Sequence, residues 1–351
     1  MIKLFGFTLL RNGVKFDYSF RESFHSLCKL SINTYIALDP GEDDSLREVE
    51  KIKGMQIIPS NWDMSLKKGL VLSVETNKAL EALRADHGCD DSAWGIYLQA
   101  DEVLHAEDFD ILKRDLELAS QSGCDALSFR YLHFWQTHNH IAISKRWYPH
   151  EIRAIKLNSP IESWGDAQGF RNYKKIYYTE ARIFHYGHVR EASSYTEKMR
   201  AMGKLYHEES EQEKRFEKGL KSSKKNKCTL YFGTHPPEMK ERILRMGDVW
   251  ELPEKNEIAI VGNKEKYSAK LLSNINAKKI HWYESLKDVP NEFKNEAIIL
   301  EPNFFERVFK NKKKCLTKMD SPLAQEWTPD FKLVMALSSY KVGFKSGDFS
   351  T

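Results

Sequence analysis

Apolar positions in the first third of the chain fall into short continuous runs separated by longer amphipathic stretches. Ile2–Leu10, Thr34–Leu38, Met55–Ile58 and Trp94–Leu98 are rich in apolar and β-branched residues, as expected of strands buried on both faces. The segments between them are helix-like or long enough to cross over. Ser73–Ala85 has helix-forming composition. Glu107–Ser120 puts Phe109, Leu112, Leu116 and Ala119 on one face, and its first turn carries Glu107, Asp108 and Asp110, which suits the positive end of a helix. A further strand-like run covers Ala126–Phe134. Strands alternating with helices predict an α/β fold built on a mostly parallel sheet.

Beyond residue 140 the pattern changes. Lys145-Arg146-Trp147-Tyr148-Pro149-His150 and Trp164-Gly165-Asp166-Ala167-Gln168-Gly169-Phe170 are aromatic and irregular, as loops over a sheet edge often are. Ile176–Tyr186 reads as a returning strand. Glu191–Lys218 is a polar helix with Tyr195, Met199, Met202 and Tyr206 roughly along one side. After a Lys/Ser-rich break at Gly219–Lys227, Glu238–Met246 is helical. A second alternation then begins: strands at Glu257–Val261, Lys279–Tyr283 and Ala297–Leu300, helices at Lys266–Asn276 and Thr328–Tyr340. The expected organisation is one domain over residues 1–245 and a smaller α/β module, or an extension of the first domain, over 246–351.

The length of 351 residues suits two domains. A formal charge of +4 by itself implies neither nucleic acid nor membrane. Cys28, Cys89, Cys124, Cys228 and Cys315 are scattered and form no C-x-x-C pair, which argues against a zinc knuckle or a disulfide framework and for a reducing compartment. The apolar start lacks a basic leader and a small-residue cleavage site, so it reads as a strand. No run approaches the ~18 apolar residues that would cross a bilayer. A cytoplasmic protein is expected. The basic runs Lys214–Lys227 and Lys310–Lys314 are either solvated surface or, if they share a face, a peripheral contact with anionic membrane. No helix-turn-helix or aromatic-basic sheet motif points to nucleic acid.

Candidate chemistry concentrates where strands end. Gly95-Ile96-Tyr97-Leu98-Gln99-Ala100-Asp101-Glu102 stops an apolar run on two carboxylates. Ligands of open α/β sheets sit at that end of a strand, and buried carboxylates there need a positive partner. A divalent cation carrying a diphosphate is one such partner, with Asp101 as ligand and Gln99 or Glu102 beside it; an ordinary acidic turn is the other reading. Leu10-Arg11-Asn12-Gly13 and Leu38-Asp39-Pro40-Gly41 end the first two strands on the same edge. Arg11 suits a phosphate, Asp39 a ribose or base, although Asp-Pro-Gly is also plain turn chemistry. Asp166, flanked by small residues, suits a general base or a helix cap. His133, His138 and His140 form one histidine cluster. His185 and His188 bracket Tyr186-Gly187 and suggest a metal or phosphate contact, at a spacing that fits no zinc template.

Together, Phe7–Gly13, Leu38–Asp44, Tyr97–Glu102, Tyr148–Arg153, Gly165–Phe170 and His185–Arg190 resemble the inverting glycosyltransferases of family 2 and their relatives, over roughly residues 1–245. The family's metal motif is Asp-x-Asp. Here Gln99 stands at its first acidic position and only Asp101 matches, as in a bacterial subgroup with a Gln-Ala-Asp-Glu version. The resemblance implies a GT-A fold, a Rossmann-like sheet with helices on both faces. It implies transfer of a sugar, with inversion, from a nucleoside diphosphate donor to a glycan or lipid-linked acceptor in surface polysaccharide assembly. Asp166 would be the base. Asp101 would hold Mn²⁺ or Mg²⁺ with His185 or His188 as a later contact, and Arg11, Asn12, Asp39 and Gln99 would position the nucleotide. Two other readings remain. A catalytically silent nucleotide- or carbohydrate-binding protein shares these features. A sugar nucleotidyltransferase requires a Gly-rich loop after the first strand, for which Leu10-Arg11-Asn12-Gly13 is too short.

Overall fold

A computed structural model describes residues 2–142, 147–206, 228–231, 233–248, 250, 255–261, 277–290 and 298–299. These fall into two compact units. The first holds the described residues up to 133, from 150 to 206 and from 236 to 241; the second holds the rest.

The first unit is built on strands β1 (Lys3–Leu10), β2 (Thr34–Leu38), β3 (Met55–Pro59) and β4 (Ala93–Tyr97). They lie in the order β3-β2-β1-β4 and every pairing is parallel, with Gly6 opposite Thr34 on one side and Ile96 on the other. β1, β2 and β4 are buried almost end to end, which is why their sequences read as continuous apolar runs.

Side chains alternate across β1. Phe5, Phe7 and Leu9 pack with Ala79, Leu80 and Leu83 of helix α3 (Leu70–His87). Leu10 joins Phe20 and Phe24 of helix α1 (Phe20–Leu30) on the other face, with Val49 of the short helix α2 (Ser45–Glu50). Helices therefore cover both faces of the sheet, giving the Rossmann-like α/β arrangement expected. α1 is an element beyond those expected from the sequence; its Phe20, Phe24 and Leu27 are fully buried at the spacing of one helical face.

The remaining strands of this unit are antiparallel. After β5 (Glu102–Leu104) and helix α4 (Phe109–Gln121), strand β6 (Ala126–Trp135) leads to the segment expected to be irregular. Instead, β8 (His150–Lys156) inserts between β4 and β6, antiparallel to both. Its Ile152, Ala154 and Ile155 are buried, and two neighbours supply the ladder that a loop would have lacked. A short hairpin of β9 (Glu162–Trp164) and β10 (Gly169–Arg171) follows, and β11 (Ile176–His188) returns to pair with β5. Helix α5 (Ala192–Tyr206) is the described part of the long polar helix expected from Glu191.

In the second unit β7 (Thr137–Ala142) pairs antiparallel with β12 (Cys228–Leu230). Phe134 lies edge-on to the ring of Tyr231, and the His138 ring and backbone N–H both meet Asp248. The second alternation expected from the sequence is a parallel sheet in the order β14-β13-β15, from β13 (Lys255–Val261), β14 (Ala277–Tyr283) and β15 (Ile298–Ile299). The expected helices Lys266–Asn276 and Thr328–Tyr340, and the basic runs Lys214–Lys227 and Lys310–Lys314, lie outside the described residues. Among the described residues no helix is long and apolar enough to cross a membrane.

Burial pushes His150 of the first unit and His140 of the second down to about 4. Between that value and the ordinary 6.5 the unfolded chain binds more protons than the folded one, so stability is fully present above pH 6.5 and is lost as pH falls toward 4. Urea denaturation at pH 7.5, 6 and 5 is expected to show a midpoint that drops most between 6 and 5.

Candidate active site

The C-terminal ends of β1 and β4 open onto a cavity of about 550 Å³. Arg11 and Asn12 line it from the turn after β1, Tyr97, Gln99 and Asp101 from β4 and the turn after it. Lys15, Phe16 and Tyr18 come from the loop before α1, Trp62 from the loop after β3, and Lys198 and Arg200 from α5. Of the residues singled out in the sequence, Arg11, Asn12, Gln99 and Asp101 line this cavity; Asp39, Asp166, His185 and His188 lie outside its lining.

The loops around the mouth are stapled together. Asn12 adopts φ +53°, a left-handed conformation that asparagine tolerates, and its Oδ1 accepts from the Glu42 N–H at 2.8 Å. The Ser45 hydroxyl accepts from the N–H groups of Gly13 and Val14. Asp39 accepts from Gly41 N–H and Trp62 N–H, each at 2.8 Å, and pairs with Arg11 at 3.4 Å. Asp39 thus performs the turn chemistry that was its plainer reading and also anchors Arg11. The indole N–H of Trp62 is buried without a hydrogen-bond partner.

The two consecutive carboxylates have separate partners. Glu102 is fully buried and receives Arg153 bidentately, Nε and Nη2 each at 2.8 Å, together with the Tyr131 hydroxyl at 2.8 Å. It also accepts the Gln99 N–H. Glu102 is therefore occupied inside the fold and stands apart from the ligand role considered for it beside Asp101. Arg153 continues through Nη1 to the carbonyl of Gln168, while Gln99 Nε2 donates to the carbonyl of Ala167. The turn bearing Asp166 is thus held to the end of β4 from two directions. α3 supports it further: Ser73 donates to the Gly165 carbonyl, and Asn77 exchanges two hydrogen bonds with Ser163. Asp166 sits in the β9–β10 turn, not at a helix start, so the capping role considered for it does not apply. Ala167 in that turn is buried at φ +58°, a backbone conformation that costs a non-glycine residue of order 1 kcal/mol or more.

Asp101 is buried, and its surroundings are cationic. Oδ2 lies 3.1 Å from Lys198 Nζ and 3.4 Å from Arg190 Nη2; Oδ1 lies 3.8 Å from His185 Nε2. Burial would raise this carboxyl, but the charges of Lys198, His185 and Arg190 outweigh it and hold it below the usual carboxylate range. Burial lowers the pKa of His185 and, more strongly, of His188. It also pushes Lys198 down to about 8, with Arg190 adding to the effect against the pull of Asp101. Tyr18 presents its ring to both cations at 4.6 Å.

These residues do not fit the divalent-cation centre expected from Asp101, His185 and His188. Oδ2 of Asp101 already accepts from an ammonium and a guanidinium. His185 Nδ1 faces His133 Nδ1 at 3.0 Å, and His188 Nδ1 faces the Tyr195 hydroxyl at 3.4 Å. Among the described residues no three His, Cys, Asp or Glu side chains converge as a metal set. Arg153, Arg190 and Lys198, which meet these carboxylates, are not singled out by the sequence pattern, and neither are the lining residues Lys15, Tyr18, Trp62 and Arg200. Arg153 and Arg190 lie inside motifs already noted, and Lys198 lies on the helix expected from Glu191; nothing in their spacing announces which carboxylate each meets.

No protein-family model matches the chain, and no curated protein matches it in sequence. Among solved structures, S. aureus TarS matches at 13% identity and a TM-score of 0.35, covering 60% of this chain and 41% of TarS. The chain thus spans less than half the length of that protein. TarS 1–349 in complex with UDP matches at 13% identity and a TM-score of 0.34, covering 62% of this chain and 71% of the other. A 4-diphosphocytidyl-2C-methyl-D-erythritol synthase from Anaerococcus prevotii matches at 10% identity and a TM-score of 0.31, covering 55% and 95%. Likenesses this distant transfer neither residues nor activity.

Removing one partner of the Glu102–Arg153 pair leaves a buried charge without compensation. Arg153→Met is expected to cost about 3–5 kcal/mol in urea denaturation. Gly187 is equally constrained: a Cβ there would lie 2.5 Å from His185 Nε2 and 2.8 Å from Asp101 Oδ2. Gly187→Ala is therefore expected to displace Asp101 and to lower the melting temperature by several degrees, on the order of 1–3 kcal/mol of overpacking.

Proposed function

We propose that this chain is a nucleotide-sugar-dependent glycosyltransferase that transfers a sugar with inversion to a hydroxyl acceptor, a glycan or lipid-linked saccharide, in glycan assembly. The observation that carries this reading is the cavity at the carboxyl ends of β1 and β4. Its lining combines the aromatic residues Tyr18, Trp62 and Tyr97 with the cations Arg11, Lys15, Lys198 and Arg200, beside the carboxylates Glu42, Asp101 and Glu197. Rings and an unpaired indole N–H suit a base and sugars, and cations suit a diphosphate. Ligands of such sheets bind at this edge.

In the proposed reaction the acceptor oxygen forms a bond to the anomeric carbon on the face opposite the diphosphate. The carbon–oxygen bond to the diphosphate breaks, and its electron pair leaves with the diphosphate. The acceptor proton passes to the Asp166 carboxylate. Asp166 is partly exposed, on a turn that Gln99 and Arg153 hold beside the cavity wall, and a base needs that combination of access and fixed position. Arg11 and Lys15 carry carboxylate partners in Asp39 and Glu42, which orient them at the mouth.

Release of nucleoside diphosphate from a panel of nucleotide sugars, with glycan acceptors, tests the reading. Asp166→Asn is expected to reduce turnover by about 10²–10⁴-fold while leaving nucleoside diphosphate affinity within a factor of about two. Undiminished turnover in that variant would remove Asp166 as the base. Binding without turnover of any donor would favour the silent binding protein.

A further inference from the structure

The cationic cluster around Asp101 stands where the motif calls for a metal. Arg190 is a buried member of it: Nη1 donates to the Phe16 carbonyl at 2.6 Å and Nη2 to the Gly187 carbonyl at 2.8 Å. Lys198 differs because it lines the cavity. Its Nζ donates to Asp101 Oδ2 at 3.1 Å and to the Gly187 carbonyl at 3.3 Å. An ammonium carries three N–H bonds, so one remains after these two are made. The ammonium also sits over the Tyr18 ring, with Nζ 4.6 Å from its centroid.

The charge balance points the same way. Arg11 is paired with Asp39, Lys15 with Glu42 and Arg153 with Glu102. Asp101 faces two cations, Arg190 and Lys198, and the further lining residues Arg200 and Glu197 carry opposite charges, which leaves one positive charge in surplus beside the cavity. A divalent cation bound to Asp101 would be set against both. A diphosphate would meet the surplus charge and a preoriented donor. Charge-assisted contacts of this kind are short and strong, and lysine binds phosphate as a point charge.

We propose that Lys198, clamped by Asp101 and the Gly187 carbonyl, binds the diphosphate of the nucleotide directly, in the place where the sequence motif implies a divalent cation. In this arrangement Asp101 is a positioning residue that orients an ammonium rather than a metal ligand. The inference rests on the nucleotide-sugar reading of the cavity.

Calorimetry on the full chain with UDP, GDP, dTDP and the corresponding nucleosides, in EDTA and in Mn²⁺, tests it. At least one nucleoside diphosphate is expected to bind in EDTA with a Kd within about threefold of that in Mn²⁺. Lys198→Met is expected to raise that Kd about tenfold or more in both buffers, while Lys198→Arg restores most of the affinity. The loss should be confined to phosphate-bearing ligands, with the nucleoside bound equally by wild type and variant; a merely structural role would weaken both. Binding that requires Mn²⁺, or a Kd unchanged by Lys198→Met, overturns the proposal and leaves the glycosyltransferase reading standing. No binding of any nucleotide in either buffer overturns that reading itself. Should Lys198→Met fail to fold, the wild-type comparison decides: metal-independent binding supports the proposal and metal-obligate binding overturns it.

Discussion

The buried ion pair between Glu102 and Arg153 is the constraint on which the rest of the site depends. Both side chains are fully buried, and the pair is bidentate. Two charges leave water together only when geometry and further hydrogen bonds compensate them, and here the Tyr131 hydroxyl, the Gln99 N–H and two backbone carbonyls do so. Because Arg153 also holds the Gln168 carbonyl, the pair ties the end of β4 to the turn that carries Asp166. Position along the chain would leave those two segments far apart; the guanidinium joins them together with the Gln99 side chain and the contacts from α3.

The same pair separates the tasks of two neighbouring carboxylates. Glu102 is spent on architecture. Asp101, one residue earlier, is left to the cations that approach from β11 and α5, Arg190 following β11 and Lys198 lying on α5. Gly187 permits this because no side chain intervenes between His185 and Asp101. The rim is assembled by similar means. Asn12, Asp39 and Ser45 satisfy backbone N–H groups of neighbouring loops, so the residues that face the cavity are oriented before any ligand arrives.

Much of the fold was legible in the chain. The parallel core strands and the α4 helix could be read from apolar runs and helical spacing, because burial on both faces of a sheet, or on one face of a helix, leaves its period in the sequence. β8 escaped because it begins on His150-Glu151 and carries Arg153 among its apolar residues, so a buried charge broke the apolar run. Its identity as a strand depends on β4 and β6 lying on either side, which no local pattern encodes.

At the candidate site, the order of apolar runs in the chain already says which acidic and polar residues gather at the carboxyl ends of β1, β2 and β4, since strand ends follow from strand positions. What each of them meets is set by packing between distant elements. Partners separated by tens of residues, Arg153 for Glu102 and Lys198 for Asp101, are chosen by the packing of β8, β11 and α5. A carboxylate beside a divalent ion and a carboxylate beside an ammonium can share the same local sequence. The difference lies in which charge the fold delivers to within about 3 Å, a distance at which electrostatics in a desolvated site dominates local preference.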